Sequence, residues 1–134
     1  MNSQVVSFSS SNDNLVVAEK LVDDVCRHYK VDEDFYGNIL IAVTEAVNNA
    51  INHGNRLDPS KSVTIEFVAS DNHQLHFTVK DQGMGFDYNA LPDPTDPENI
   101  DKISGRGVFL MKNLSDELRF NDSGSAVEMV FCVN

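Results

Sequence analysis

The stretch from Asp32 to Gly54 constrains the fold most. Phe35, Ile39, Val43, Val47 and Ile51 recur at helical spacing, Asp32 is placed to cap the start, and Gly54 marks the end. Stepping about 100° per residue from Glu45 gathers Asn38, Glu45, Asn48, Asn49 and Asn52 on one side. Ile39, Leu40, Val43, Ala46, Val47, Ala50 and Ile51 fill the other. Such a helix buries one face in a core and holds a stripe of one carboxylate and several carboxamides on the other. A solvated helix face ordinarily carries Lys, Glu, Gln and Arg, because they are good helix formers; Asn is a poor one. No Lys or Arg lies between Glu45 and His53. The stripe is therefore either an unusual outer face or a set of ligands. Asn49 follows Glu45 by four residues, so the two side chains point the same way. A carboxamide oxygen is a hard neutral ligand suited to magnesium, and a carboxylate beside it can hold a metal-bound water or take a proton from an attacking hydroxyl. His53 reads as a capping or packing residue.

Around this helix the chain alternates short patterns. Val5, Val6 and Phe8 suggest a first strand, and Asn12 or Asn14 can cap a helix to about Tyr29, with Leu15, Ala18, Leu21, Val22 and Val25 along one side. Asp58-Pro59 marks a turn; Val63 to Ala69 and Leu75 to Lys80 alternate as paired strands. Gly83 to Ser104 holds three prolines and little periodicity, a length that inside a small domain suggests a functional lid or a disordered region. Val108 to Leu114 reads as a third helix. Glu117 to Phe120 and Ala126 to Val133 read as closing strands joined by Asn121-Asp122-Ser123-Gly124. Helices do not alternate regularly with strands, which argues against a doubly wound nucleotide fold. The order predicts an α+β, two-layer α/β sandwich with a mixed, mainly antiparallel sheet and helices on one face.

The 134 residues fit a single domain spanning 1–134. A net charge of −11 disfavours direct nucleic-acid binding, which needs a basic patch, and suits a basic partner surface. No apolar run reaches the roughly 18 residues of a membrane span, and Met1 to Ser11 lacks the basic and apolar regions of a signal peptide. Cys26 and Cys132 have no metal or redox spacing and read as two buried free thiols in a reducing cytoplasm. His73 and His76, at a turn and a strand start, read as solvent-exposed.

Two glycine loops complete the pattern. Asp81-Gln82-Gly83-Met84-Gly85 follows a strand directly, and a carboxylate held beside small glycines can accept a hydrogen bond from an exocyclic amine such as that of adenine. Ser104-Gly105-Arg106-Gly107 opens the third helix, where backbone N–H groups can bind phosphate and glycines permit close approach. No Gly-x-x-x-x-Gly-Lys-Ser/Thr sequence occurs, so a P-loop is excluded.

Taken in order, these segments resemble the GHKL (Bergerat-fold) ATP-binding superfamily over roughly Val5 to Val133. Its N-box resembles Glu45-Ala46-Val47-Asn48-Asn49-Ala50-Ile51-Asn52-His53-Gly54, and its glycine boxes resemble Asp81 to Gly85 and Gly105 to Gly107. The short length, the Asn-His-Gly ending and the proline-rich stretch Leu91 to Asn99 look like the bacterial anti-sigma-factor serine/threonine kinases of the RsbW type. The resemblance implies ATP and Mg2+ as cofactors, Asn49 as the magnesium ligand and Glu45 as general base. It implies Asp81 on the adenine amine with Ser125 through water, and Gly83, Gly85, Gly105, Arg106, Gly107 and Val108 around the nucleotide. It further implies a cytoplasmic homodimer that binds a sigma factor and phosphorylates a Ser or Thr on a small, STAS-like anti-sigma-factor antagonist. The competing expectation is an ATP-gated partner-binding switch without phosphoryl transfer. Ser125-Ala126 stands where a threonine-containing pair is common, and Ile103 where many relatives carry a basic residue, a charge Arg106 or Lys102 could supply. A detached histidine-kinase catalytic domain is disfavoured, because His28 lacks an adjacent acidic residue and no long dimerisation hairpin is present.

Overall fold

The computed structural model describes residues 2–71, 73–83, 105–121 and 123–133. Strand β1 (Ser3–Ser9) leads through a single 3-10 turn into helix α1 (Leu15–His28) and helix α2 (Glu33–Asn49). A wide π-type turn, Ala50–Gly54, extends α2. Strands β2 (Ser62–Ser70) and β3 (Gln74–Lys80), helix α3 (Gly105–Leu114), and strands β4 (Glu117–Phe120) and β5 (Ala126–Cys132) follow. The sheet order is β1-β2-β3-β5-β4. The α+β sandwich is as predicted, and every described strand pairing is antiparallel, where a mixed, mainly antiparallel sheet was expected.

The alternation of each strand puts one apolar row on the inner face. Val6 pairs with Ile65, Ile65 with Val79, Val79 with Val127, and Val127 with Phe120, so the row crosses all five strands. Beside it Phe67 pairs with Phe77 and Phe77 with Met129. α2 lies against this face, with Ile39, Val43, Val47 and Ile51 fully buried, and α1 adds Ala18, Leu21, Val22 and Val25. Burying such side chains contributes about 1.5–3 kcal/mol each. The outer face is polar and carries cross-strand pairs such as Lys80 with Glu66 at 3.0 Å. Exposed pairs of this kind stabilise little.

Several local expectations change. Phe35 belongs to the apolar series but is 37% exposed, because it sits in the first turn of α2, beyond the edge of the core. Asp32 takes the N-cap position without a side-chain hydrogen bond that caps the helix. Asn14 takes the N-cap position of α1, but its side chain turns back to the carbonyl of Ser9 at 2.9 Å instead of capping the helix, and Ser11 caps the short turn before it. α3 begins at Gly105, three residues earlier than its apolar pattern indicates. Cys26 is buried as expected; Cys132 is exposed, because it occupies an outward position at the end of β5. His73 is exposed as expected. His76 is half-buried, with Nδ1 3.8 Å from Glu128 and Nε2 3.1 Å from Ser70 Oγ. The hairpin before β5 closes through Gly124, whose φ of 79° suits glycine.

Candidate functional site

The polar stripe of α2 divides into two parts. Asn52 Nδ2 donates to the Asn48 carbonyl at 2.9 Å, to Asn48 Oδ1 at 2.8 Å and to Asn12 Oδ1 at 3.0 Å. Those carboxamides tie the helix to the start of the chain. Glu45 and Asn49 are half-buried, and neither side chain has a hydrogen-bond partner among the described residues. The N-terminal turn of α3 lies directly over them. A Cβ added at Gly107 would stand 2.5 Å from Glu45 Oε1 and 2.9 Å from Asn49 Nδ2. Real Cβ atoms do not come that close, so a side chain at 107 would displace the flexible end of Glu45 that α3 approaches.

The second glycine-lined end forms where β3 stops. The Asp81 N–H donates to the Ser125 carbonyl at 2.9 Å, fixing the strand end to the residue that precedes β5. Asp81 Oδ1 accepts from the Gly83 N–H at 2.8 Å. Gly54, at the end of the wide turn, abuts the Asp81 carboxylate, and Gly83 abuts the Gly54 carbonyl; a Cβ at either position would collide. Burial pushes the Asp81 carboxyl above its ordinary range, while the Gly83 N–H and Lys61 pull the other way. Oδ2 has no hydrogen bond among the described residues and can accept from an outside donor.

Between these ends lies a pocket with an apolar floor of Ala46, Ala50, Val79, Met111, Phe120 and Val127, and with Asn49, His53, Asp81 and Ser125 at its polar edge. An apolar slot with a few placed polar groups is the usual form of a small-molecule site and suits a flat heterocycle. Ser125 Oγ is held by Asn121 Nδ2 at 3.1 Å and Ser123 Oγ at 2.8 Å. His53 lines the same pocket; burial lowers its pKa, with Glu45 opposing.

The structure thus brings together Glu45, Asn49, Asp81, Gly83, Gly107 and Ser125 from four separated segments. Gly105 and Arg106 open α3, so their backbone lies at its N-terminus. The Val108 side chain packs against the core. Gly85, Lys102, Ile103 and the proline-rich stretch lie outside the described residues. His53 and Gly54 were not among the expected site residues. For Gly54 the signal was its place in the Asn-His-Gly ending, but its contact with Asp81 depends on two segments that only the fold brings together.

The residues present fit a nucleoside triphosphate. The Asp81 end has a carboxylate oxygen with no hydrogen bond among the described residues, and the opposite end has a helix N-terminus over a carboxylate and a carboxamide. Among the described residues no group of three or more His, Cys, Asp or Glu side chains could hold a metal. A magnesium ion at Asn49 would therefore draw further ligands from phosphate and water, which is its habit.

A family profile described as "Histidine kinase-like ATPase domain" matches residues 8–131. The chain is 36% identical over 104 residues to the serine-protein kinase RsbW of Bacillus licheniformis, covering 72% of this chain and 64% of that one. It is 33% identical over 121 residues to the anti-sigma F factor of Geobacillus stearothermophilus, covering 87% and 81%. The chain thus spans a little under two thirds of the length of the RsbW relative. Among solved structures, the RsbU and RsbW domains of a Mycobacterium tuberculosis protein superpose with a TM-score of 0.68 at 12% identity, covering 99% of this chain and 33% of that one. A likeness at that identity concerns the fold.

Proposed function

Because the chain belongs to the histidine kinase-like ATPase domain family, we propose that it binds ATP with magnesium and transfers the γ-phosphoryl group to a serine or threonine of a partner protein. The observation that carries this reading is Gly107 lying on Glu45 and Asn49. It joins an anion-receptive helix N-terminus to a proton acceptor and a hard neutral ligand. Bound Mg-ATP supplies the transferable group and the cation that offsets its charge. Asn49 offers its carboxamide oxygen to that cation. Asp81 Oδ2 accepts from the adenine amine, with Ser125 beside it. The N-terminal turn of α3, with the Gly105 and Arg106 backbone, faces the phosphates. Glu45 accepts the proton of the attacking hydroxyl as the new P–O bond forms and the bond to the β-phosphate oxygen breaks.

By analogy with the anti-sigma F factor and RsbW relatives, the partners are a sigma factor, held by this chain, and a small STAS-like antagonist that receives the phosphate. We assign it to the cytoplasm as a homodimer. Among the described residues no helix is long and apolar enough to cross a membrane. The test is incubation of the purified chain with labelled ATP and a candidate antagonist. Phosphate should appear on a Ser or Thr of the antagonist, and Glu45→Gln should abolish it. Persistent absence of transfer to cognate partners, with partner affinity still responding equally to ATP and a non-hydrolysable analogue, would replace the kinase by an ATP-gated switch.

A further inference from the structure

Asn55 is 1% exposed, one of two buried polar residues among those described; the other is Ser10, at 2%. A buried carboxamide is tolerated only when its donors and acceptor are used. Nδ2 donates to Ser10 Oγ at 2.6 Å and to the Ser62 carbonyl at 2.9 Å. Oδ1 accepts from the backbone N–H of Gln82 at 2.7 Å. The partners fix which atom is which, since an amide N–H only donates and a carbonyl only accepts. The Gln82 side chain closes the loop: its Oε1 accepts from the Ser62 N–H at 2.7 Å.

Asn55 follows Gly54, which abuts the Asp81 carboxylate. Two consecutive residues where the wide turn after α2 ends therefore hold the Asp81–Gly83 turn, one by contact and one by hydrogen bond. Each N–H of the turn is engaged: Asp81 to Ser125, Gln82 to Asn55, and Gly83 to the Asp81 carboxylate. Of these, the bond to Asn55 is the one that a side chain outside the turn supplies. We propose that Asn55 is a positioning residue for purine recognition: through Gln82 it sets the orientation in which the Asp81 carboxylate meets the base. This rests on the reading of Asp81 as the acceptor of the adenine amine. Removing the acceptor leaves a Gln82 N–H unpaired and frees the turn, while the apolar floor of the pocket is untouched. Discrimination between purines should then suffer more than binding itself.

The test compares affinity for ATP with that for inosine triphosphate, which has an oxygen in place of the amine. The intact chain should prefer ATP by at least about tenfold, because a site built to pair with a donor rejects the analogue without one. Asn55→Ala should narrow the preference to about threefold or less, and speed amide exchange at Gln82. Ser10→Ala removes another partner of Asn55 without touching the turn; it should lower the melting temperature yet keep the preference. Should Asn55→Ala fail to fold, Gln82→Ala at an exposed position cuts the companion bond to Ser62 and should narrow the preference by about twofold. Full preference retained in the folded Asn55→Ala protein, or in Gln82→Ala where that is the variant read, overturns the proposal. So does an equal narrowing in Ser10→Ala, which would mark general loosening. A wild-type chain that binds ATP and inosine triphosphate alike would instead overturn the assignment of Asp81, and Asn55's role with it.

Discussion

At one end of the pocket, Asp81, Gln82 and Gly83 commit all three backbone N–H groups within the protein. At the other, Glu45 and Asn49 face the glycine of α3 with no hydrogen-bond partner among the described residues. The first end is pre-organised: a ligand finds its acceptor already oriented and loses little ordering entropy there. The second holds groups whose natural complement is a cation and an anion, neither supplied by the described chain. The contrast suggests a division of labour, with recognition at the rigid end and chemistry at the end completed by what binds.

The sharpest way to break that division is Glu45→Gln. A lost general base should cost about 100-fold or more in phosphoryl transfer, with the dissociation constant for ATP changed by no more than about threefold. Equal losses in both would make Glu45 a binding residue and erase the distinction.

The two glycine contacts come next. Gly54→Ala drives a methyl group into a carboxylate fixed by the Gly83 N–H, so the chain should lose thermal stability together with ATP affinity. Gly107→Ala meets the free end of Glu45, which can swing away. Alanine also favours the helix by about 0.8–1 kcal/mol over glycine. Its melting temperature should hold or rise while transfer falls by about 30-fold through misplacement of the base. Matching stability losses in both variants would show that the two ends are equally rigid.

Asp81→Asn should weaken ATP binding by about tenfold, the carboxamide being a poorer acceptor than a carboxylate. Its effect on stability has a defined sign. Burial raises the folded-state pKa of Asp81, so its favourable contribution is complete below the unfolded value and is lost as pH rises through the folded one. Wild type should therefore lose stability relative to Asp81→Asn across that acid window, as urea midpoints would show. His53 runs the other way. Burial lowers its pKa, so its contribution is present above its ordinary value near 6.5 and is lost as pH falls below it. His53→Gln should flatten stability between about pH 7 and about pH 5, a change that probes the pocket wall.

Much of this was legible before the fold was known, because helical periodicity is local. Glu45 and Asn49 share a face by virtue of spacing alone, and the glycines of the two loops announce close approach. What stayed hidden depended on segments meeting across the fold. Asn55 reads as a polar residue after a helix until Gln82, 27 residues later, reaches it. Asn48 and Asn52 look like ligands alongside Asn49 until Asn12 claims one of them. Phe35 and Cys132 follow their elements' patterns but fall where those elements pass the edge of the core. Periodicity reports which way a side chain points, and not how far the core extends to meet it.

Asn49 and Gly54 are carried by one continuous coil, α2 and its widened last turn. With a rise of about 1.5 Å per residue, that coil acts as a ruler whose two marks are the Asn49 carboxamide and Gly54, which backs the Asp81 carboxylate. The separation between the marks cannot stretch without breaking helical hydrogen bonds. A ligand is thereby gauged for length as well as chemistry.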